Sequence, residues 1–409
     1  MSKSLSKETR ALLTARALSM VGSSALPIAF TFAILRSGGN ALEVGIVLGL
    51  ADLPFVLLLL VGGVIADRHE RRLIALMSDI VRAAVALIAA CMILLHLNTI
   101  LYLSVLAIIW GSARAFFIPT VTGLIPEITP VDQLHKTNSL VGASVSLGTL
   151  VGPALGGLIV ASIGPGEGAL FATLSYIGSS IYLSRIRPSD LPEKEFVPPI
   201  AQGSFLSEIK EGYQAVRSRS WAFWTIIIFG VMHLSTFGPL FVVGPVIAAD
   251  HLGGAAAWGY IVAADGGGAI VGSLVAMRRP PKRPLYIASI LMLLGVPGFI
   301  LLAFHVDLTL ILGSFAIFGV ATGYFGSVWD TLLQKSYPID QISKVSSYDY
   351  MGSTSLLPLG EALGGGVAGV IGNSMVMIIG GIALFFLSAT LVLMPSVRNA
   401  LPPHPADIA

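Results

Sequence analysis

Long apolar runs separated by short polar turns recur from one end of the chain to the other. A membrane-spanning helix needs about 20 predominantly apolar residues. Runs of that length fall at roughly 10–35, 41–66, 73–95, 99–120, 137–163 and 168–187. After a polar interval the pattern resumes at about 221–249, 255–277, 285–305, 308–330, 345–371 and 375–395. The periodicity predicts an all-α integral membrane fold with twelve transmembrane helices in two bundles of six. Three regions follow: an N-terminal bundle over 1–187, a cytoplasmic linker over 188–220 and a C-terminal bundle over 221–409. The first part of the linker is rich in Pro and Glu. The second places Phe205, Leu206, Ile209, Tyr213 and Val216 at helical spacing, as in an amphipathic helix on the inner membrane surface. The plainer alternative is a covalent tether between the bundles. The polar start (MSKSLSKETR) precedes an apolar run too long for a signal peptide, so that run is expected to remain as the first span.

Composition sharpens this picture. Of 409 residues, 55% are hydrophobic and only 11% charged, less than half the share that ordinary soluble domains carry. With a mean hydropathy of +0.86, a fold of this chain in water would present large apolar patches; disorder is equally excluded. Twelve spans use roughly 240 residues and leave roughly 170, too few for a separate soluble domain. The single cysteine, Cys91, lies in an apolar run, so no intrachain disulfide is possible.

The distribution of charge sets the orientation. Even-numbered turns carry Arg68, Arg71, Arg72, Lys136, Arg185, Arg187, Lys194, Arg278, Arg279, Lys282, Arg283, Lys335 and Lys344. Odd-numbered turns have Arg36 alone, beside acids such as Glu43, Glu167, Asp250 and Asp307. The positive-inside bias therefore places both termini in the cytoplasm of a cell whose plasma (inner) membrane the chain crosses.

The two halves repeat. Pro130-Val131-Asp132-Gln133-Leu134-His135-Lys136 matches Pro338-Ile339-Asp340-Gln341-Ile342-Ser343-Lys344 at an offset of 208, and Gly152, Gly156 and Gly157 fall on Gly360, Gly364 and Gly365. Duplicated six-span units are the architecture of transporters that bind substrate near the bilayer midplane and rock to alternate access.

The turn after the second span reads Gly63-Val64-Ile65-Ala66-Asp67-Arg68-His69-Glu70-Arg71-Arg72. It resembles the loop signature G-x-x-x-D-R-x-G-R-R of the major facilitator superfamily, departing from it at Glu70. That acid, together with Ser78-Asp79-Ile80-Val81-Arg82-Ala83 and Leu357-Pro358-Leu359-Gly360, resembles the branch containing enterobactin exporters, macrolide-efflux proteins and transmembrane secretion effectors. The resemblance implies a fold of two six-helix bundles related by a pseudo-two-fold axis. It also implies a cytoplasmic latch built on Gly63, Asp67, Arg68, Arg71 and Arg72, with Asp349 as the candidate partner of Arg68 or Arg72. The alternative is that these arginines serve only as topology determinants. In the fifth span Gly148, Gly152, Pro153, Gly156 and Gly157 resemble the motif of proton-coupled exporters, which implies efflux. The alternative there is a generic seam of small residues.

Charges inside hydrocarbon are costly and mark cavities or partners. Asp52 lies mid-way along the second span, Asp265 mid-way along the eighth, and Glu361 well inside the eleventh at the position aligned with Pro153. They are candidates for carrying the coupling proton. Arg114 joins them because the superfamily often has an arginine in the fourth helix. The alternatives are packing acids, or acids paired with Arg16 or Arg114. Asp79 and Arg82, three apart, read as a structural pair. Aromatic and methionine side chains such as Phe32, Phe55, Trp224 and Tyr324 either line a greasy pocket or pack in the core.

No ATP-binding loop, metal-ligand cluster or hydrolase motif is present, so neither a cofactor, a metal nor an enzymatic activity is expected. Basic residues are too few and too clearly topological for nucleic-acid binding. The reading is a monomeric secondary efflux transporter in the lipid bilayer, exchanging protons for a hydrophobic or amphiphilic small molecule such as a drug, macrolide or siderophore-like product. An uptake symporter of the same fold and a transport-inactive sensor or scaffold are the alternatives. Green fluorescent protein fused to either terminus is expected to fluoresce, and alkaline phosphatase at either terminus to be inactive; active phosphatase at one end would overturn the orientation.

Overall fold

The computed structural model describes residues 5–129, 133–186, 205–278 and 282–400, without the side chains of 60, 63, 64, 66–68, 135, 205–210, 339, 340, 343 and 344. Among the described residues every regular element is helical. The first six helices are α1 (Lys7–Arg36), α2 (Ala41–Arg68), α3 (Arg71–Leu94), α4 (Ile100–Ile128), α5 (Leu134–Ser162) and α6 (Pro165–Ser184). After α7 (Phe205–Ser218) come α8 (Ser220–Leu252), α9 (Ala255–Arg278), α10 (Pro284–Ala303) and α11 (Leu308–Ser336). The chain ends in α12 (Ile339–Thr354), α13 (Leu357–Ile371), α14 (Asn373–Leu393) and the short α15 (Pro395–Arg398).

Among the described residues eleven helical stretches are long and apolar enough to cross a membrane. The expected sixth span is α6, whose 20 residues are long enough to span but rich in Gly, Ser and Tyr. The reason is its position: it packs against α1 and α3, and Tyr176 and Ser179 are fully buried there. The outward side chains are those of a protein dissolved in lipid, with Leu57, Val370 and Leu393 between 66% and 85% exposed.

Helix ends follow local chemistry. The Ser6 hydroxyl accepts the Thr9 N–H at the start of α1, the Asn40 side chain accepts from Leu42 and Glu43 at the start of α2, and Asp307 accepts from Thr309 at the start of α11. Hydrogen bonds from Thr309, through its hydroxyl and its N–H, hold the exposed Asp307 carboxyl below the usual carboxylate range. The expected eleventh span is interrupted between α12 and α13, because Pro358 has no N–H to reach back to Thr354. Two π-helical turns, His233–Phe237 and Ala248–Leu252, interrupt α8. The repeat reappears in the backbone: α3 and α10 are each followed by a histidine in the left-handed region, His96 (φ 57°) and His305 (φ 52°).

Contacts divide the chain into two compact units: Met1–Phe196 with Ala248–Ala263, and Val197–Ile247 with Ala264–Ala409. In the first, α1 packs on α5 and α6, and α2 on α4. A fully buried core of Leu12, Ala15, Phe117, Leu124, Ile128 and Leu183 fills the space between α1, α4 and α6. In the second, α13 packs on α8 and α14 on α10. The amphipathic helix α7 lies against α8 and α12, with the Tyr213 ring 6.4 Å from Phe223 and 5.9 Å from Tyr348. The linker residues before it lie outside the described residues.

Pairs of helices approach to backbone contact where glycine permits. A Cβ on Gly319 of α11 would come 1.9 Å from the Asp265 carbonyl of α9, and one on Gly268 would come 2.0 Å from the Ala316 carbonyl. In the first unit a Cβ on Gly111 would come 1.7 Å from the Ala51 carbonyl. Backbone cannot yield as a side-chain tip does, so Gly319→Val is expected to cost about 2 kcal/mol or more. Thermal unfolding of the purified protein in detergent measures this, and an unchanged midpoint would contradict the close crossing.

Candidate functional site: charged groups inside the helix bundles

The expected acids occupy three different settings. Asp52 on α2 accepts a hydrogen bond from Arg114 Nη1 of α4 at 2.8 Å, with the side chains 14% and 24% exposed. The Arg114 guanidinium lies 3.8 Å from the centroid of the Phe55 ring, one turn beyond Asp52. An ion pair with Arg114 is among the readings offered above for this acid, and the pair is present. Arg114 sits at the middle of α4, which runs on to Ile128, past the end of the apolar run at about 120. Pro119 and Pro126 lie inside this helix, where neighbouring helices tolerate the missing N–H.

Asp265 on α9 lies where α9 crosses α11, and its Oδ1 is buried without a hydrogen-bond partner among the described residues. Glu361, in the first turns of α13, is only 4% exposed. It sits beside the π-helical turn of α8, where a Cβ on the preceding Gly360 would come 2.6 Å from the His233 and Leu234 carbonyls.

The loop signature lies at the junction of α2 and α3. The side chains of Gly63, Asp67 and Arg68 lie outside the described residues. Arg71 bonds Glu127 Oε1 and the Gly123 carbonyl, both at 2.9 Å, near the end of α4. Arg72 reaches the Ser184 carbonyl at 3.3 Å, closing the end of α6, and lies 3.8 Å from Glu70. The two arginines thus tie α3 to the neighbouring ends of its own bundle. Asp349, the candidate latch partner, accepts the Trp329 indole N–H at 2.8 Å. Nearby, burial pushes the Tyr337 phenol up to about 12, with Arg219 opposing, so it stays protonated in the physiological range.

The fifth-span glycines form a closely packed seam. Cβ atoms on Gly148, Gly152 and Gly156 would come 2.3 to 2.8 Å from Met20, Val21 and Ala25 of α1. Gly157 faces the start of α9 instead, 2.5 Å from the Ala255 carbonyl by the same measure, and Gly259 meets the Pro153 carbonyl at 2.4 Å. Pro153 leaves the helical bond to Thr149 unmade. One motif therefore serves two helical neighbours at once.

A further cluster is the most deeply buried of all. Asp79 and Arg82 on α3 form an ion pair with 0% and 1% side-chain exposure. Asp79 Oδ1 also accepts from Ser19 at 3.1 Å, and Oδ2 accepts from Ser179. Arg82 donates to Ser19 and Ser23, both at 3.0 Å, and its guanidinium lies 4.2 Å from the Phe117 centroid and 4.9 Å from that of Tyr176. The Tyr176 hydroxyl accepts the Trp110 indole N–H at 2.9 Å. Four helices, α1, α3, α4 and α6, thus converge on one pair. Sequence reading found the pair but not its centrality, since the spacing of Asp79 and Arg82 is silent about the serines and rings on three other helices.

Charged pairs buried inside bundles of spanning helices define a polytopic membrane transporter. The family model of the Major Facilitator Superfamily matches residues 12–356, and the chain belongs to that superfamily. It is 26% identical to the multidrug efflux pump Tap of Mycolicibacterium fortuitum, over 92% of this chain and 93% of that protein. It is 21% identical to macrolide efflux protein A of Streptococcus pyogenes, over 94% and 95% of the two chains. Among solved structures, the inward-facing, unoccupied bacterial homolog of the human lysosomal transporter Spinster superposes with a TM-score of 0.72 at 15% identity, covering 98% of this chain and 100% of that one. These relatives are transporters and not enzymes.

Breaking a buried ion pair from one side costs about 3–5 kcal/mol. Asp79→Asn is expected to lower stability on that scale, and adding Arg82→Gln to recover part of it. A double-mutant cycle by thermal unfolding checks this; additive losses would show the pair to be uncoupled.

Proposed function

We propose that the chain is a secondary efflux transporter of the plasma membrane, a proton antiporter that exports hydrophobic or amphiphilic small molecules by alternating access. The observation that carries this reading is the presence of acids deep within the spans in three distinct settings: Asp52 bridged to Arg114, Asp265 with a buried Oδ1 unbonded among the described residues, and Glu361 almost fully buried. Such groups are costly in a bilayer and are retained where they carry charge or protons. Protonation of Asp52 removes the charge that holds Arg114, so proton loading and release of that bridge are a single event. A helix whose partner has been released is then able to move.

Export is supported by the fifth-span motif and by relatives named as efflux proteins. The motif's packing suits the role: the stretch Gly148–Gly157 rests on α1 along one face and on the start of α9 along another. The arginines of the loop signature, with Asp349, would form the cytoplasmic latch, and both termini would lie on that same side. In this reading the transporter works as a monomer in the lipid bilayer, with protons and a small-molecule cargo as partners.

The test uses inside-out membrane vesicles carrying the protein and the dye ethidium. An imposed inward-acid gradient is expected to drive accumulation in the wild type, and a protonophore to abolish it. At least one of Asp52→Asn, Asp265→Asn and Glu361→Gln is expected to fall to the level of vesicles without the protein. Full gradient-driven transport in all three variants would reject proton coupling through these groups, and accumulation only under the opposite gradient would favour the uptake symporter.

A further inference from the structure

The buried cluster of the first unit is not electrically balanced. Arg16 on α1 places its guanidinium 5.3 Å from the Phe117 centroid, and Arg82 uses the same ring at 4.2 Å. One carboxylate, Asp79, serves both cations, and both of its oxygens are already engaged by Arg82, Ser19 and Ser179. Elsewhere in the unit Asp52 is taken by Arg114 and Glu127 by Arg71. Arg16 makes no hydrogen bond with any described residue, and its Nε is buried.

The group is far from the helix end. Arg16 lies nine residues beyond Lys7, about 14 Å along α1. Asp79 lies eight residues beyond Arg71, Tyr176 eight before Ser184 and Phe117 eleven before Ile128, about 12 to 17 Å from the same end of the bundle. All four therefore share one level inside the bilayer. A guanidinium there costs a few kcal/mol on insertion scales, and it is normally offset by a partner. Phe117 offers the face of its ring but no acceptor. The planar fork of five donors is left for an acceptor that the described residues do not supply.

We propose that Arg16 is a recognition site for the anionic group of the cargo, and that the transported amphiphiles include those bearing a carboxylate. Arg82 and Asp79 are its positioning residues: their pair fixes the Phe117 ring on which Arg16 rests, and the second guanidinium raises the local positive potential. A carboxylate at Arg16 makes paired charge-assisted hydrogen bonds and brings the cluster to neutrality. The inference rests on the reading of the chain as a transporter, but it concerns equilibrium binding and needs no gradient.

The probes are 1-pyrenebutyrate and its methyl ester, which share one apolar body and differ in charge. Binding is read by energy transfer from the tryptophans to pyrene, with the protein in phosphatidylcholine nanodiscs so that no lipid anion competes, and with empty nanodiscs as the partition blank. The wild type is expected to bind the acid about ten-fold tighter than the ester, a difference of about 1.4 kcal/mol. Arg16→Gln is expected to lose that preference while binding the ester as before, and Arg16→Lys to keep part of it. Equal affinity of the wild type for acid and ester, or a preference that survives Arg16→Gln, would overturn the proposal. If Arg16→Gln fails to fold, the acid–ester comparison in the wild type and in Arg16→Lys still decides. A wild type without acid preference but with intact gradient-driven ethidium transport sinks this inference alone; a wild type with acid preference but without any transport sinks the functional reading instead.

Discussion

A charge within hydrocarbon has no water to turn to, so each ionised side chain in the spans has to find its solvation inside the protein. Much of the first unit is organised by that requirement. Asp79 and Arg82 gather serines from α1 and α6 and rings from α4 and α6, and the helices meet where those groups can all reach. Asp52 and Arg114 join α2 to α4 in the same way, with Phe55 supplying the ring face. Polar side chains are thus few, but they lie at the points where helices cross.

Close approach is the complementary device. Lipid chains are as apolar as the helix surfaces they cover, so association depends on fitted contact and not on the hydrophobic effect between helices. Gly111 against Ala51 and Gly319 against Asp265 bring backbones together at equivalent crossings in the two units. The same crossing that seats Asp265 leaves its Oδ1 buried and unbonded among the described residues. Packing and chemistry meet there: the residue whose backbone Gly319 approaches is the one that carries the buried acid oxygen.

The fifth-span motif shows how one sequence feature divides its work. Four glycines read as a single seam, yet three of them face α1 and the fourth faces the first turns of α9. A helix turns by about 100° per residue, so Gly156 and Gly157 cannot share a neighbour. The adjacent pair is what allows α5 to be approached on two sides, with Pro153 removing a backbone bond between them and the rest of the seam.

The alternation of apolar runs and polar turns by itself determined the helical class and the order of the spans, because the bilayer imposes one thickness on every crossing. Arginine and lysine placement supplied an expected orientation, and the glycine and loop motifs pointed to the family that the match over residues 12–356 shows. The sequence did not show that α4 continues past about residue 120 and through Pro126, since a helix survives a missing N–H only when neighbours compensate, and neighbours are a tertiary matter. Nor did it rank the charges. Asp79 and Arg82 looked like a local pair and proved to be the centre of four helices, whereas Arg16 looked like a possible partner for any acid and makes no hydrogen bond to a described one. Spacing along one helix reports only which residues share a face; what that face meets is decided by packing, and in a medium without water that meeting sets the energy of every charge.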